Sequence, residues 1–410
     1  MSKLQNLINE LCPNGVEYKT LGELGYFYGG LTGKSKEDFT NGNSKFITYM
    51  NVFSNLSLKI NVDDIVKIGE NENQNIIQYG DIIFTGSSET PDECGMSSVL
   101  TIKTDEKLYL NSFCFGFRLY DNNIMIPDFS KYIFRSSEVR KQIKKTASGV
   151  TRFNVSKNKM EKVKIPIPPI PVQEEIVRIL DNFTELTTEL TTELTARKKQ
   201  YEYYNNKLLR FNNVPYKTLE ELCDIVDYRG KTPKKVDYGI FLVTAKNIRK
   251  GYIDYNKSKE YIAFEDYEEV MRRGFPKIGD VLVTTEAPCG NVAQVDKENI
   301  ALAQRVIKYR PKTNEINSTY LKYILLGAEF QKKLLLSATG GTVKGIKGSK
   351  LHKLKIPVPP LSEQQRIVSI LDRFDSLCND ITTGLPAEIE LRKKQYEYYR
   401  DKLLDFKELQ

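Results

Sequence analysis

The chain has 410 residues, 40% of them hydrophobic, which is enough for two or three domains with their own cores. Lysine and arginine give a net charge of +8, which fits a polyanionic partner such as nucleic acid but also occurs in many other proteins. The six cysteines are scattered, no signal peptide is visible and no apolar run could span a bilayer, so the composition argues against disulfide-rich, secreted and transmembrane proteins. We expect a cytoplasmic protein.

The first half of the chain predicts a mixed α and β module. It begins with Tyr-Lys-Thr-Leu at residues 18–21, and short apolar runs bounded by turn residues then predict strands. These predicted strands cover residues 45–49, 81–85, 98–102 and 113–119. A helical pattern follows from Phe129 to Lys145, and Gly149 is placed to cap its end.

A proline motif and a long helix follow this module. Lys-Ile-Pro-Ile-Pro-Pro at residues 164–169 cannot continue a helix or a central strand. Apolar residues then recur at steps of three and four from Ile176 to Leu208, which predicts a helix over about residues 173–211 with a coiled-coil seam. Within it the unit Thr-Glu-Leu-Thr occurs three times in succession, at residues 184–195.

The second half repeats this order. Tyr-Lys-Thr-Leu returns at residues 216–219, and the proline motif returns as Lys-Ile-Pro-Val-Pro-Pro at residues 355–360. Arg-Lys-Lys-Gln-Tyr-Glu-Tyr-Tyr at residues 197–204 returns unchanged at residues 392–399. The predicted strands cover residues 241–244, 280–284 and 304–309, and a helix is predicted over residues 319–336 with Gly340 placed to cap its end. After the second proline motif, apolar and aromatic residues recur at the same helical spacing from Ile367 to Leu403, with Ile381 among them, which predicts a second seam. A repeat of this length indicates two copies of a globular module followed by a long helix. The two helices are expected to pair with each other, although each could instead pack on its own module.

The sequence offers no convincing catalytic, cofactor-binding or metal-binding residue. His352 is the only histidine, and we expect it to be a polar surface residue. Gly-Lys-Ser at 33–35 and Gly-Lys-Thr at 230–232 resemble the end of a phosphate-binding loop. The glycine that such a loop requires five positions earlier is Tyr28 in one case and Ile225 in the other.

Loops rich in lysine, arginine, asparagine and threonine recur at matched places in the two halves. Such residues contact DNA phosphates and base edges, although each taken alone is more often solvated surface. The candidate DNA-binding residues of the first half are Lys34, Lys36, Asn51, Lys144, Lys145, Thr151, Arg152 and Asn154. Those of the second half are Arg229, Lys231, Lys246, Asn247, Arg249, Thr342, Lys344 and Lys347.

The repeated arrangement of module, proline motif and long helix resembles the specificity subunits of type I restriction–modification enzymes. Gln173 and Gln364 complete the motif Lys-Ile-Pro-x-Pro-Pro-x-x-x-Gln in the two copies. The resemblance covers essentially the whole chain. Gly384 and Pro386 depart from it, because they predict a kink or break in the second long helix.

The resemblance implies an α+β fold in which two similar α/β target recognition domains, residues 1–165 and 213–356, are related by a pseudo-two-fold repeat. Two long helices, residues 166–212 and 357–410, would join them as an antiparallel coiled coil. The implied ligand is a bipartite sequence in double-stranded DNA. Two methyltransferase subunits and the motor and endonuclease subunits would be the partners, and catalysis and its cofactors would belong to those partners.

Two alternatives stay open at the level of the sequence. The chain is also compatible with a coiled-coil scaffold whose globular heads bind proteins, and with an enzyme whose site is not recognisable. Salt-dependent binding to duplex DNA separates the first interpretation from the scaffold.

Overall fold

The computed structural model describes residues 3–228, 233–340, 344–379 and 383–409. Its contacts divide the chain into two units. The first unit consists of residues 1–190 and 389–410, and the second consists of residues 191–388. Each unit contains one α/β module and portions of the long helices.

The predicted order of strands first and helices later holds only in part for the first module. Nine of its described strands precede the helical stretch predicted at residues 129–145, but three α-helices lie before or between them and three more strands follow that stretch. Its strands are β1 (Glu17–Thr20), β2 (Gly25–Gly29), β3 (Ser44–Ile47), β4 (Ile65–Val66), β5 (Ile82–Thr85), β6 (Ser87–Ser88), β7 (Ser97–Val99), β8 (Leu108–Leu110), β9 (Cys114–Leu119), β10 (Ala147–Ser148), β11 (Phe153–Val155) and β12 (Lys164–Ile167). Its helices are α1 (Lys3–Leu11), α2 (Leu21–Leu24), α3 (Tyr49–Ser54), α4 (Pro127–Ile133), α5 (Ser137–Thr146) and α6 (Lys157–Met160), followed by α7 (Ile170–Leu208), which continues into the second unit.

The second module has the same plan. Its strands are β13 (Tyr216–Thr218), β14 (Cys223–Asp227), β15 (Ile240–Val243), β16 (Tyr261–Ile262), β17 (Val281–Thr285), β18 (Cys289–Gln294), β19 (Ile300–Leu302), β20 (Val306–Pro311) and β21 (Lys355–Pro357). Its helices are α8 (Leu219–Leu222), α9 (Tyr267–Val270), α10 (Ser318–Leu326), α11 (Ala328–Ser337) and α12 (Gly348–Leu351), followed by α13 (Leu361–Asn379) and α14 (Leu385–Leu403).

Corresponding antiparallel sheets form the centre of each module. The strand order is β2-β9-β5-β7 in the first and β14-β20-β17-β18 in the second. A smaller sheet accompanies each, β4-β3-β8 and β16-β15-β19, and contains one parallel pair. The core of the first module joins Phe84 and Phe117 of the main sheet, Tyr132 of α4 and Ile176 of α7, all buried. Burying such side chains contributes about 1.5–3 kcal/mol each, which fixes the start of the long helix against the module.

The repeated sequence motifs pair with each other within each module. Strand β1 is antiparallel to β12, with Thr20 opposite Lys164, and β13 is antiparallel to β21, with Thr218 opposite Lys355. The Tyr-Lys-Thr-Leu segment and the proline motif are therefore the two ends of a module held side by side.

The glutamine that completes each proline motif is wholly buried. Gln364 donates from Nε2 to the carbonyl oxygens of Glu315 (2.9 Å) and Pro359 (2.8 Å). Its Oε1 accepts the backbone N–H of Asn317 at 2.8 Å. Gln173 makes the three equivalent bonds in the first module at 2.9, 2.8 and 3.0 Å. One amide therefore ties the proline motif and the first turn of the long helix to the segment that precedes α10, or α4 in the first module.

The helices predicted over residues 129–145 and 319–336 are each divided in two, so those predictions were wrong in detail. Ser136 separates α4 from α5 and Gly327 separates α10 from α11, because both have extended backbone, with ψ of 149° and 144°. The predicted glycine caps are also wrong, since the residue after each helical stretch is an alanine with extended backbone. Gly149 and Gly340 lie two residues farther on, with φ of 146° and 117°.

The long helices follow the prediction closely. Helix α7 has 39 residues, and it begins three residues earlier than predicted because a proline is compatible with the first turn. The interruption predicted from Gly384 and Pro386 is present, since α13 ends at Asn379 and α14 begins at Leu385. Ile381, one of the seam positions, lies outside the described residues.

Candidate nucleic-acid interface

A buried ion pair fixes the central strand of each module. Arg118 donates from Nε and Nη2 to the carboxylate of Asp81 at 2.8 and 2.6 Å, and Arg310 does the same to Asp280 at 2.7 and 2.7 Å. Each carboxylate also accepts the backbone N–H three residues before it, at 2.7 and 2.8 Å. Burial lowers the pKa of Lys308, whose ammonium group lies 3.8 Å from Asp280. Because a buried carboxylate requires such partners, the strand that leads to the loops is held in one register.

Three segments meet at the end of this strand in the first module. Gly86 donates its N–H to the carbonyl oxygen of Phe113 at 2.7 Å. The carbonyl oxygen of Gly86 accepts the N–H of Val155 at 2.9 Å. These bonds bring together the loop after β5, the loop before β9 and the end of strand β11.

The second module repeats this junction with different side chains. Thr285 donates its N–H to the carbonyl oxygen of Arg305 at 2.9 Å, and its own carbonyl oxygen accepts the N–H of Ile346 at 2.9 Å. Phe113 and Arg305 therefore occupy equivalent positions in the two modules. Ser87 and Glu286, which follow Gly86 and Thr285, are equivalent for the same reason.

We call Tyr49, Ser87, Phe113 and Arg152 the first loop cluster. Arg152 donates from Nε to Ser87 Oγ at 3.2 Å, and its guanidinium group lies 5.4 Å from the ring centroid of Phe113. The Tyr49 hydroxyl donates to the carbonyl oxygen of Ser87 at 2.9 Å. Phe113 is 55% exposed and the neighbouring Met50 is 60% exposed. An exposed cation beside exposed apolar side chains suits contact with phosphates and base edges.

We call Lys246, Glu286, Arg305 and Lys344 the second loop cluster. Lys246, Arg305 and Lys344 are exposed, and Arg305 Nε lies 3.5 Å from Glu286 Oε2. The backbone of Glu286 pairs with Gly345, which places Lys344 next to this junction. Because Arg305 pairs with Glu286, the charges of Lys246 and Lys344 leave these four residues with a net positive charge.

Two of the residues predicted to contact DNA, Asn51 and Asn247, are buried. Asn247 is wholly buried, and its Oδ1 accepts the N–H and hydroxyl of Thr244 at 3.0 and 2.8 Å. Its Nδ2 donates to the carbonyl oxygens of Asp254 and Ser258. Asn51 is also buried and exchanges two hydrogen bonds with the backbone of residue 59. Both amides hold a loop in place, and both N–H groups of the Asn247 amide are used within the fold.

Three of the predicted basic residues have ionic partners within the fold. The ammonium group of Lys34 contacts Glu72 and also donates to the carbonyl oxygen of residue 67 at 2.6 Å. Lys144 lies 2.6 Å from Asp92, and Arg249 lies 3.6 Å from residue 254. The first of these side chains is largely buried, so its main effect is on loop structure.

The remaining predicted residues fall into two groups. Eight are exposed, namely Lys36, Lys145, Thr151, Arg152, Asn154, Lys246, Lys344 and Lys347. Three lie outside the described residues, namely Arg229, Lys231 and Thr342. Among the exposed ones, Arg152, Lys246 and Lys344 belong to the two loop clusters.

The sequence analysis missed Tyr49, Ser87, Phe113, Glu286 and Arg305. None lies in a run of basic residues, so composition gave no signal. The usable signal was positional, because Ser87 and Glu286 both lie six residues after the aspartate of a Gly-Asp turn.

The single histidine and the six cysteines all lie among the described residues. His352 is half-buried with Nδ1 at 3.1 Å from the hydroxyl of Tyr309, which corrects the expectation of a simple surface residue. All six cysteines are free thiols, and burial raises the pKa of Cys114 and Cys223 to about 12. Within the described ranges, no group of three His, Cys, Asp or Glu side chains could hold a metal ion, and no helix is long and apolar enough to cross a membrane.

Curated relatives of this chain are specificity subunits. It is 40% identical over 278 residues to the type I restriction enzyme EcoR124I/EcoR124II specificity subunit of Escherichia coli, a match that covers 62% of this chain and 65% of that protein. It is 36% identical over 275 residues to the putative type I restriction enzyme specificity subunit S.HindORF215P of Haemophilus influenzae, covering 63% of this chain and 68% of that protein. The chain therefore matches about two thirds of the length of these relatives.

Solved structures with the same fold extend over almost the whole chain. The type I restriction–modification S subunit from M. genitalium matches with a TM-score of 0.53 and 15% identity, covering 95% of this chain and 96% of that one. A chain from a study of complex assembly and conformational transition of the type I R-M system matches with a TM-score of 0.61 and 19% identity, covering 96% and 98%. At these identities the similarity shows the fold, a repeat of two α/β domains.

The family model for the type I restriction modification DNA specificity domain matches twice, over residues 13–198 and 212–391. Each match contains one α/β module with its main sheet, its proline motif and its buried glutamine. The chain belongs to the type I restriction–modification DNA specificity family.

Proposed function

We propose that this chain is the DNA-recognising subunit of a type I restriction–modification assembly, and that each α/β module reads one half of a bipartite duplex sequence. The observation that carries the proposal is the presence of an exposed cationic loop cluster at the same junction of both modules. The net charge of +8 and the family membership support it. The two clusters differ in every side chain, which suits two half-sites of different sequence.

We further propose that residues 1–165 and 213–356 act as the two target recognition domains. The segments 166–212 and 357–410 would then be the connecting helical parts. The positions of α7 and α13 support these limits, because both helices begin directly after the proline motifs. Under this proposal a domain can be exchanged at the paired strands β1–β12 or β13–β21 without disturbing the other.

The long helices are proposed to form an antiparallel coiled coil. In the first unit the ring of Phe183 in α7 stacks on Tyr399 in α14, with centroids 5.3 Å apart. In the second unit the ring of Tyr204 in α7 stacks on Phe374 in α13, with centroids 5.7 Å apart. Each pair joins members of the predicted seam, as expected if α7 has a helical partner along both of its halves.

Catalysis is assigned to partner subunits, namely two methyltransferase subunits and the motor and endonuclease subunits. The assembly is proposed to act in the cytoplasm. The verbatim repeat Arg-Lys-Lys-Gln-Tyr-Glu-Tyr-Tyr supports two copies of one partner. Its middle tyrosines, Tyr203 and Tyr398, are each 60% exposed on their helices. Two identical exposed surfaces suit two identical docking subunits.

The first test is binding of the full chain, with its partner subunits, to duplex DNA at increasing salt concentration. Affinity should fall steeply with salt, and Arg152→Ala or Arg305→Ala should weaken it. Arg272→Ala is the matched control, because it removes one exposed arginine charge of the second module outside both loop clusters, where Arg272 pairs with Glu269. Binding that is insensitive to salt and to the module variants would favour a scaffold whose heads bind proteins. Methyl transfer by the isolated chain would contradict its non-catalytic role.

A further inference from the structure

We propose that a cavity beside Ala245 in the second module receives the edge of one guanine of the second half-site, and that Arg305 is the residue that reads it. This inference rests on the proposed function, since it names a specificity-determining residue of the same DNA-binding surface.

The cavity is an open pocket of about 230 Å³. Its apolar wall includes Leu242, Ala245, Ala287 and Ala303, and Lys246 and Arg305 also line it. A water molecule occupies about 30 Å³ in the liquid, so the space admits a group much larger than one water. The cavity opens among residues of the second loop cluster, which is the surface assigned to DNA.

The first module has the same backbone frame, with a tyrosine in place of Ala245. The carbonyl oxygen of Val243 accepts the N–H of Ala303 at 2.9 Å, and that of Ile47 accepts the N–H of the equivalent residue 111 at 3.0 Å. Ala245 and Tyr49 each lie two residues after one of these carbonyl groups, so they occupy equivalent positions in the two modules. The ring of Tyr49 reaches across to the backbone of Ser87. Ala245 has only a methyl group, so the space between residue 245 and the equivalent backbone in the second module is not filled by a ring.

The charges around the cavity favour a ligand that accepts hydrogen bonds. Glu260 also lines it, but its carboxylate lies 2.6 Å from Lys235 and is neutralised there. Lys246 and Arg305 carry hydrogen-bond donors and no acceptor. In the major groove guanine presents two acceptors, O6 and N7, whereas adenine presents one acceptor and one donor and cytosine presents a donor. Thr244 and Gln304 also line the cavity and can both donate and accept, but Thr244 donates to Asn247 and Gln304 has a contact of its own within the fold. Guanine is the base whose edge matches the two cationic side chains, Lys246 and Arg305.

Two residues that line the cavity have a strained backbone conformation, which favours a role in holding a ligand. Ala287 and Arg305 both line it, and both have positive φ, 49° and 69°, which non-glycine residues rarely adopt. Such conformations cost free energy and concentrate at ligand-binding sites. Arg305 is held there by the hydrogen bond from Thr285, so its side chain starts from a fixed point at the rim of the cavity.

The experiment selects binding sites from a randomised duplex library with the complete assembly, using the wild-type chain, Ala245→Tyr and Arg305→Gly. Tyrosine at 245 should fill the cavity as Tyr49 does in the matching frame. Glycine at 305 removes the side chain and tolerates the positive φ, so this variant should fold at least as well as the wild type. Both should lose preference at one guanine of the second half by about tenfold to a hundredfold, with the first half unchanged.

Lys353→Ala, an exposed lysine of the second module that does not line the cavity, is the control and should keep the wild-type motif. Thermal melting of each variant checks folding. If the wild type enriches a bipartite motif and both cavity variants enrich the same one, this inference alone is overturned. A preference lost at a base other than guanine overturns the assignment of Arg305 to guanine. A wild-type assembly that enriches no motif overturns the proposed function, and this inference with it.

Discussion

Replacing Gln364 with alanine should destabilise the second module far more than a side chain of this size would on the surface. The amide makes three hydrogen bonds of 2.8 to 2.9 Å and is completely buried. Its removal leaves one backbone N–H and two carbonyl oxygens without that partner. An unsatisfied buried group costs about 1–3 kcal/mol, and allowing for partial relaxation we expect a total loss of about 3–5 kcal/mol.

The assay is hydrogen exchange of the full chain, followed in peptides from α10 and the start of α13. Because the chain has two units, a local opening free energy is more informative than one melting temperature. Gln365→Ala is the matched control, since Gln365 is the exposed neighbour on the same turn and should change stability by less than about 0.5 kcal/mol. Gln173→Ala should produce the same loss in the first module and leave the second unchanged.

The role assigned to the glutamine would be refuted by equal protection in the Gln364→Ala and Gln365→Ala variants. It would also be refuted if Gln364→Glu, which keeps the shape but places a carboxylate against two carbonyl oxygens, were as stable as the wild type.

Three further predictions concern the helix, one loop and the contact between α10 and α13. Deleting residues 188–191, one Thr-Glu-Leu-Thr unit, shortens α7 by about 6 Å and turns it by a net angle of about 40°. The methylated sites should then keep both half-sites, with a spacer between them that is shorter by about one or two base pairs. An unchanged spacer would show that the length of α7 does not set the distance between the half-sites. Hydrogen bonds from Gly69 N–H, Lys34 and Gln74 lower the pKa of Glu72 from 4.5 to about 2, so its contribution to stability is present above pH 4.5 and is lost as the pH falls toward 2. In thermal melts over that range, Glu72→Gln should show a smaller loss than the wild type, and identical losses would contradict this linkage. Tyr323→Phe removes a 2.5 Å hydrogen bond to Asp372 and should lower the free energy of unfolding of the second unit by about 1 kcal/mol, measured by denaturant unfolding. An unchanged free energy of unfolding would show that this hydrogen bond does not stabilise the unit.

The sequence predicted the repeated order of module, proline motif and long helix well, because short repeated motifs mark the start and end of each module. The Tyr-Lys-Thr-Leu segment and the proline motif recur together, and the structure places them as paired strands in both modules. The division of the predicted helices was missed, because a serine at 136 and a glycine at 327 are weak breakers in an otherwise apolar helical pattern.

The candidate site was harder to predict because it depends on contacts between distant segments. Asn247 has the residue type of a base-reading side chain, yet its partners include backbone groups seven and eleven residues farther along the chain, and these bury it. Arg305 was missed for the opposite reason. It stands alone in its loop and becomes part of a cluster only because its carbonyl oxygen bonds to Thr285, twenty residues away.

The central claim is that each module reads its own half of a bipartite DNA sequence. The most direct measurement replaces residues 216–342 with the corresponding region of a relative that has a different target, and then maps the sites methylated by the complete assembly. The account predicts that one half of the target changes to that of the relative while the other half remains as in the parent. A target that changes in both halves, or in neither, would contradict it.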